Sequence, residues 1–322
     1  MKRFYFAAAM ALLVHCGVDT VAAQSFPTRT VKFIVPFGPG SGTDITARLI
    51  GDRLAARWGK PVVVENRPGG DGFVSINAFI GANDDHTLLL VPVGTFAVHP
   101  YTHDRLSYDA ARDLVPIANI SSIILSLTAS TTPKVDTLAD FVALARAQPG
   151  KLNIAAAAGN SDFLLSGFIK NMGLQVAKVP YRDIMQGPND LAEARINLLA
   201  SSITIVQALH QAGKIKILAV MSRQRAPSAP DVPTVVEAGF PTLQLDSLIG
   251  LFGPRSMPKE VRESIAADIR AVVEANPDIA KKLEATGMVI DVRGPVHFAG
   301  GIAEIRGKLD AIAKALNMKA AQ

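Results

Sequence analysis

Cysteine is almost missing from these 322 residues: the one present, Cys16, falls inside an N-terminal apolar segment. A lone cysteine closes no intramolecular disulfide, so stability has to come from burial. Charge is sparse as well, at 19% Asp, Glu, Lys and Arg, and it never gathers into a dense Lys/Arg run or a basic stretch interleaved with aromatics. That pattern excludes a nucleic-acid surface. Catalytic signatures are lacking. His99 and His103 stand four apart, but Pro100 and Tyr101 interrupt the helix that would align them on a metal, so they read as a surface pair and no metal site is expected. Ser161 lies in Gly159-Asn160-Ser161-Asp162-Phe163, without the second glycine of a hydrolase elbow. No internal repeat or low-complexity segment is present.

What the chain does have is apolar bulk and glycine loops. Hydrophobic residues make up 49% of the sequence, and its length suits two domains at about 100–200 residues each. Lys2 and Arg3, the apolar run Phe4 to Val14 and the small residues Val21-Ala22-Ala23 before Gln24 form a secretory signal pattern, with residues 1–23 as the leader. The run is too short to span a membrane, which takes about 20 residues. Lipid attachment at Cys16 is disfavoured because His15 stands where a small residue is required. Removing Lys2, Arg3 and Asp19 with the leader takes the net charge from +5 to +4, a weak field that favours anionic solutes.

Strand and helix signals alternate, as in α/β folds with parallel sheets. Val31, Phe33 and Val35 form a strand; the loop Pro36 to Asp44 follows; a helix from Thr43 ends at Gly59-Lys60-Pro61; Val62-Val63-Val64 is the next strand. Such a loop offers bare backbone N–H groups at the positive end of a helix, where anions bind. Asp44, at the helix start, reads as a residue compensating the dipole. Leu88 to Val91 suits a central strand, and Ile117 to Thr128 reads as one extended stretch. Thr137 with Asp140 resembles a capping box. Lys151 to Ala157 leads into a second candidate anion loop, Ala158 to Ser161. Further strands are expected at Val176–Pro180, Ile196–Ser201 and Ile215–Met221. A short helix is expected at Thr234–Glu237, and two charged amphipathic helices at Lys259–Ala275 and Pro295–Ala315.

Five ordered motifs carry a family resemblance: Ile34 to Asp44, Val64 to Gly70 (Val-Glu-Asn-Arg-Pro-Gly-Gly), Val179-Pro180-Tyr181-Arg182, Pro230 to Gly239, and Gly250 to Pro254. Together they resemble the Bug family of bacterial solute-binding proteins, the periplasmic receptors of tripartite tricarboxylate transporters. The resemblance implies an α/β, type II-like Venus-flytrap fold with crossing hinge strands near Ile120–Thr128 and Leu243–Phe252. Residues 24–123 with 247–322 would form the first domain and 124–246 the second. It further implies a small organic carboxylate bound in the interdomain cleft, with no cofactor, and permease subunits, or a sensor protein, as the membrane partner of a monomeric receptor. Carried over position by position, the ligand-binding residues are Phe37, Gly38, Gly40, Ser41, Gly42, Thr43, Asp44 and Thr95 from the first domain. Ala158, Gly159, Asn160, Ser161, Arg182 and Asp183 come from the second. Phe37 would cover an apolar part of the ligand.

The chain departs from that pattern in the second domain. Asn160 stands where a glycine is common, Leu164 where a histidine is common, and Asp183 where a glycine is usual. Asn197, Ala200 and Ser201 take the place of an aspartate, an aromatic and a second aspartate. An acid at Asp183 repels a second ligand carboxylate or receives an amine, while Ala200 and Ser201 leave space for a bulkier or aromatic acid. A dinucleotide-binding enzyme is the alternative from another class, because the glycine-rich βαβ start is shared and Glu65 lies roughly 20 residues after the loop. Against it stand the export signal and the phenylalanine and proline in the loop, which also lacks a P-loop ending.

Overall fold

The computed structural model describes residues 26–157, 159–181 and 184–320. The leader with Cys16, and the candidate site residues Ala158, Arg182 and Asp183, lie outside them. The chain opens with β1 (Val31–Val35), α1 (Gly42–Trp58), β2 (Val62–Asn66), α2 (Phe73–Ala82) and β3 (Thr87–Pro92). Strands β1, β2 and β3 pair in parallel. The Ser41 hydroxyl caps α1 by accepting the Asp44 N–H at 3.2 Å. Gly59 then ends the helix in the left-handed conformation, at φ 63°, which a side chain resists. β3 is buried along its whole length, which explains its unbroken Leu/Val run: a strand covered on both faces has no polar side to show.

Short helices α3 (Val93–Ala97), α4 (His99–Thr102) and α5 (Ala110–Asp113) lead to β4 (Val115–Ile123) and β5 (Leu125–Ser130). The single extended stretch expected over Ile117–Thr128 is therefore two strands belonging to different sheets. Ile124 is the break. Its N–H donates to the Gly287 carbonyl at 3.5 Å, and its carbonyl accepts from the Ile203 N–H at 2.9 Å, so its backbone is satisfied outside both ladders.

The next segment runs α6 (Leu138–Ala147), β6 (Asn153–Ala156), α7 (Asn160–Asn171), β7 (Ala177–Lys178), α8 (Gly187–Ala192), β8 (Leu198–Ser202), α9 (Ile203–Gln211) and β9 (Ile215–Val220). Thr137 and Asp140 do form the reciprocal capping box on α6. The strand expected over Val176–Pro180 shortens to two residues, because Pro180 has no N–H to extend the ladder. Thr234 and Glu237 exchange hydrogen bonds in capping-box fashion, at 2.7 and 3.1 Å. Yet they close only a turn, not the short helix expected, since Gly239 turns left-handed at φ 89° directly after. The chain then passes through β10 (Ser247–Gly253), α10 (Lys259–Ala275), α11 (Asp278–Glu284), β11 (Met288–Arg293) and α12 (Pro295–Ala315).

Two mixed sheets result. One has six strands in the order β11-β4-β10-β3-β1-β2; the other has five, in the order β7-β6-β8-β5-β9. The chain crosses between them at Ile124 and returns after β9. The crossings lie side by side: the Met221 N–H donates to the Leu125 carbonyl and the Leu245 N–H to the Met221 carbonyl, both at 2.8 Å. α12 fastens the halves together. Phe298 near its start sits over Gly250 of β10, where any Cβ would overlap the ring, and packs on Phe252 with ring centroids 5.1 Å apart. Towards its end Ile312 lies against Gly167 of α7, and Leu309 and Ile305 share one apolar cluster with Phe163, Leu164 and Phe168.

Candidate functional site

A cleft of about 520 Å³ opens between the two halves. The six-stranded half lines it with Phe37, Asp71, Thr95, Val98, His99 and Thr102, and the five-stranded half with Ala156, Gly159, Asp162, Phe163, Lys178, Val179, Pro180 and Tyr181. Of the residues singled out from sequence, Phe37, Thr95 and Gly159 line this space. Phe37 is 39% exposed, unusual for an aromatic.

The rest of the first loop builds rather than lines. Asp44 is buried and accepts from the Gly40 N–H at 2.9 Å, from Arg48 Nε at 3.1 Å and from the Asn66 amide at 2.8 Å. Burial pushes its carboxyl up, but these donors outweigh that and leave it below the ordinary aspartate value, so it is a fixed anion at the start of α1. The Asn66 amide also donates to the Phe37 carbonyl at 2.8 Å. The second sequence motif thus ties down the first, and Phe37 is held at the mouth of the cleft by Asp44 and Asn66 below it. Gly38 is open to added bulk, Gly40 has space around it but resists a side chain at φ 83°, and Gly42 backs onto Met288, whose sulfur would lie 2.8 Å from any Cβ added there. Thr43 is buried.

The second loop meets the first half directly. Gly159, at φ 86°, turns the chain into α7 next to the Gly94 carbonyl. Asn160 and Ser161 are buried, at 5% and 3% exposure. The Asn160 amide lies flat on Gly94, where any Cβ would overlap it, and neither its nitrogen nor its oxygen has a hydrogen-bond partner among the described residues. The start of α7, a 12-residue helix, therefore meets the other half at Gly94. The Asp162 and Phe163 N–H groups of its first turn donate back to the Ala157 and Gly159 carbonyls at 3.0 and 3.1 Å, and the positive end of the helix dipole favours an anion here.

His99 forms part of the cleft floor, which corrects the reading of a surface pair. The helix α4 forms despite Pro100, because proline in the first turn of a helix gives up an N–H that has no partner there anyway. His99 is 1% exposed and stacks on Phe73 at 4.2 Å. Its Nε2–H donates to the Asp71 carbonyl at 3.0 Å and its Nδ1 accepts from the Tyr108 hydroxyl at 2.6 Å. Burial lowers its pKa to about 4, so at neutral pH it is an uncharged wall with both ring nitrogens occupied. Opposite it, the Tyr181 hydroxyl donates to Asp190 at 2.6 Å. Burial and the Asp190 charge push that phenol up to about 12. Lys178 forms an ion pair with Asp162 and donates to the Ser166 hydroxyl at 2.9 Å.

Sequence reading missed His99, Phe163, Lys178 and Tyr181 as wall residues. Tyr181 stood inside a quoted motif and was the one with a signal. Of the departures from the family pattern, Ala200 and Ser201 are fully buried within β8, and Leu164 is in the apolar core. Glu65, placed where a ribose-binding acid would stand, is held by Lys32 and Arg67.

Two α/β halves joined by crossing strands around a shared cleft define a solute receptor of the periplasmic-binding-protein class. The chain belongs to the tripartite tricarboxylate transporter receptor family, whose model matches residues 46–318. It is 30% identical over 290 residues to the UPF0065 protein in the tcbD-tcbE intergenic region of Pseudomonas sp. strain P51, covering 89% of this chain and 83% of that one. Its fold is similar to that of Rpa4515 from R. palustris, solved with adipate: TM-score 0.78, 27% identity, 91% of this chain and 99% of that chain. It is likewise similar to MatC from Rhodopseudomonas palustris with bound malate: TM-score 0.76, 27% identity, 89% and 99% coverage.

Proposed function

We propose that this receptor captures a small organic carboxylate in the cleft between its halves, in the periplasm, and hands it to the permease subunits of a tripartite tricarboxylate-type transporter. The observation that carries this is the opening of α7: Gly159, at the start of this helix, lines a cleft walled by both halves, and directly behind it the buried Asn160 amide, without a hydrogen-bond partner among the described residues, lies against Gly94. Backbone N–H groups and a helix dipole hold a carboxylate without an arginine, each charge-assisted bond contributing about 1.5–3 kcal/mol. Two neighbours of the same fold hold adipate and malate, both carboxylates. Since each half supplies part of the ligand shell, ligand favours the closed arrangement over the open one. That difference is what a membrane partner reads.

A thermal-melt screen against mono-, di- and tricarboxylates, amino acids and nicotinamide nucleotides tests the reading. Ligand at a hundredfold excess over its Kd adds about 2.7 kcal/mol to native stability, so a carboxylate should raise the melting temperature by several degrees. A rise with a nucleotide alone would sink it.

A further inference from the structure

We infer that the cleft selects acids built on a flat aromatic ring over aliphatic acids with the same number of carboxylates. The inference deepens the carboxylate-receptor reading of this cleft and rests on it. Four rings line the space: Phe37 and His99 from the six-stranded half, Phe163 and Tyr181 from the five-stranded half. A ligand held there meets aromatic walls from both sides. Phe163 also belongs to the first turn of α7, so a body attached directly to a carboxylate at the start of that helix begins within reach of a ring.

These residues are tethered within the protein itself. The Phe37 carbonyl accepts from the Asn66 amide at 2.8 Å, the Tyr181 hydroxyl donates to Asp190 at 2.6 Å, and both His99 nitrogens are bonded. His99 stacks on Phe73 at 4.2 Å, and Phe163 packs on Tyr101 with ring centroids 5.5 Å apart. A planar acid meeting such walls has few torsions to freeze, whereas an alkyl chain gives up rotamer freedom on binding. Ring-on-ring contact, offset or edge to face, then contributes beyond the area it buries, and a saturated body forgoes that part. Burial alone would not discriminate, because it rewards an alkyl body of equal size as well.

Isothermal titration of the purified protein tests this with benzoate against hexanoate and terephthalate against adipate, and with cyclohexanecarboxylate as the saturated counterpart of benzoate. Benzoate should bind about fivefold or more tighter than cyclohexanecarboxylate, the size of a ring contact, and each aromatic acid should bind tighter than its chain partner. Aliphatic acids binding as tightly as the aromatic ones would overturn the inference and leave the receptor reading standing; no binding by any acid, in this series or the wider screen, would remove both. The Phe37→Leu variant supplies an independent arm, because it keeps apolar bulk at an exposed position and removes only the ring. Its benzoate-to-cyclohexanecarboxylate affinity ratio should fall about twofold or more below that of the unaltered protein. An unchanged ratio in a variant with an unaltered circular dichroism spectrum would count against the inference.

Discussion

At the scale of single residues, the two buried polar side chains beside the cleft have opposite consequences. His99 is held neutral, with its pKa pulled from 6.5 to about 4 by burial. A histidine depressed in the folded state takes up a proton more readily once unfolded, so its contribution is complete above about pH 6.5 and is lost as the pH falls towards 4. Stability should decline through that window with a slope of at most about 1.4 kcal/mol per pH unit from this group. Urea titrations at pH 7, 6, 5 and 4 should show that His99→Gln flattens the decline; an unchanged slope would mean His99 is not the titrating group. Asn160 costs stability instead, since its buried amide has no partner among the described residues, a penalty of about 1–3 kcal/mol. Asn160→Ala should melt higher than the unaltered protein without ligand, and the difference should shrink once a bound carboxylate supplies a partner. The role of Asp44 was legible from its place at a helix start. That of His99 was not, because its burial comes from Phe73 and Tyr108, neither of which marks it as a partner in the sequence.

Among the elements, legibility followed local chemistry. The amphipathic helices at Lys259–Ala275 and Pro295–Ala315 have the bounds read from the sequence, because proline starts and charged outer faces set them within the helices themselves. The extended run at Ile117–Thr128 did not announce its division, since both strands and the break at Ile124 are built from similar apolar residues; which sheet each joins is settled by distant strands. The docking of α12 also depends on a distant partner, the missing side chain at Gly250. Gly250→Ala should force the Phe298 ring off β10 and cost about 1–3 kcal/mol, the usual range for overpacking. Gly81→Ala, in a helix with nothing within 4 Å of the added carbon, should be neutral or stabilising by up to about 1 kcal/mol. Chemical denaturation of the two variants side by side checks the contrast, and equal effects would argue against the α12 contact.

For the molecule as a whole, function depends on how the halves meet. The alternation of strands and helices conveyed an α/β fold, and the ordered motifs conveyed the family. The cleft walls were less accessible, because Phe37, Val98, Phe163 and Lys178 come from four separate stretches that only the crossing strands bring together. The Asn160 amide of one half packs directly on Gly94 of the other. Gly94→Ala should hold them apart, weakening carboxylate binding by about tenfold, or 1.4 kcal/mol, with little change in melting temperature. Adding Asn160→Ala should restore part of the loss by removing the obstructing amide. Failure of that rescue, seen by titration calorimetry, would place the closing contact elsewhere.

The most direct test is a crystal structure of the protein grown with the tightest-binding acid of the hexanoate, adipate, benzoate and terephthalate set. The ligand carboxylate should lie within hydrogen-bond distance of the backbone N–H groups that open α7 and of the Asn160 amide, with its apolar body between Phe37 and Phe163. Ligand density outside this cleft, or a carboxylate held away from the start of α7, would contradict the assignment.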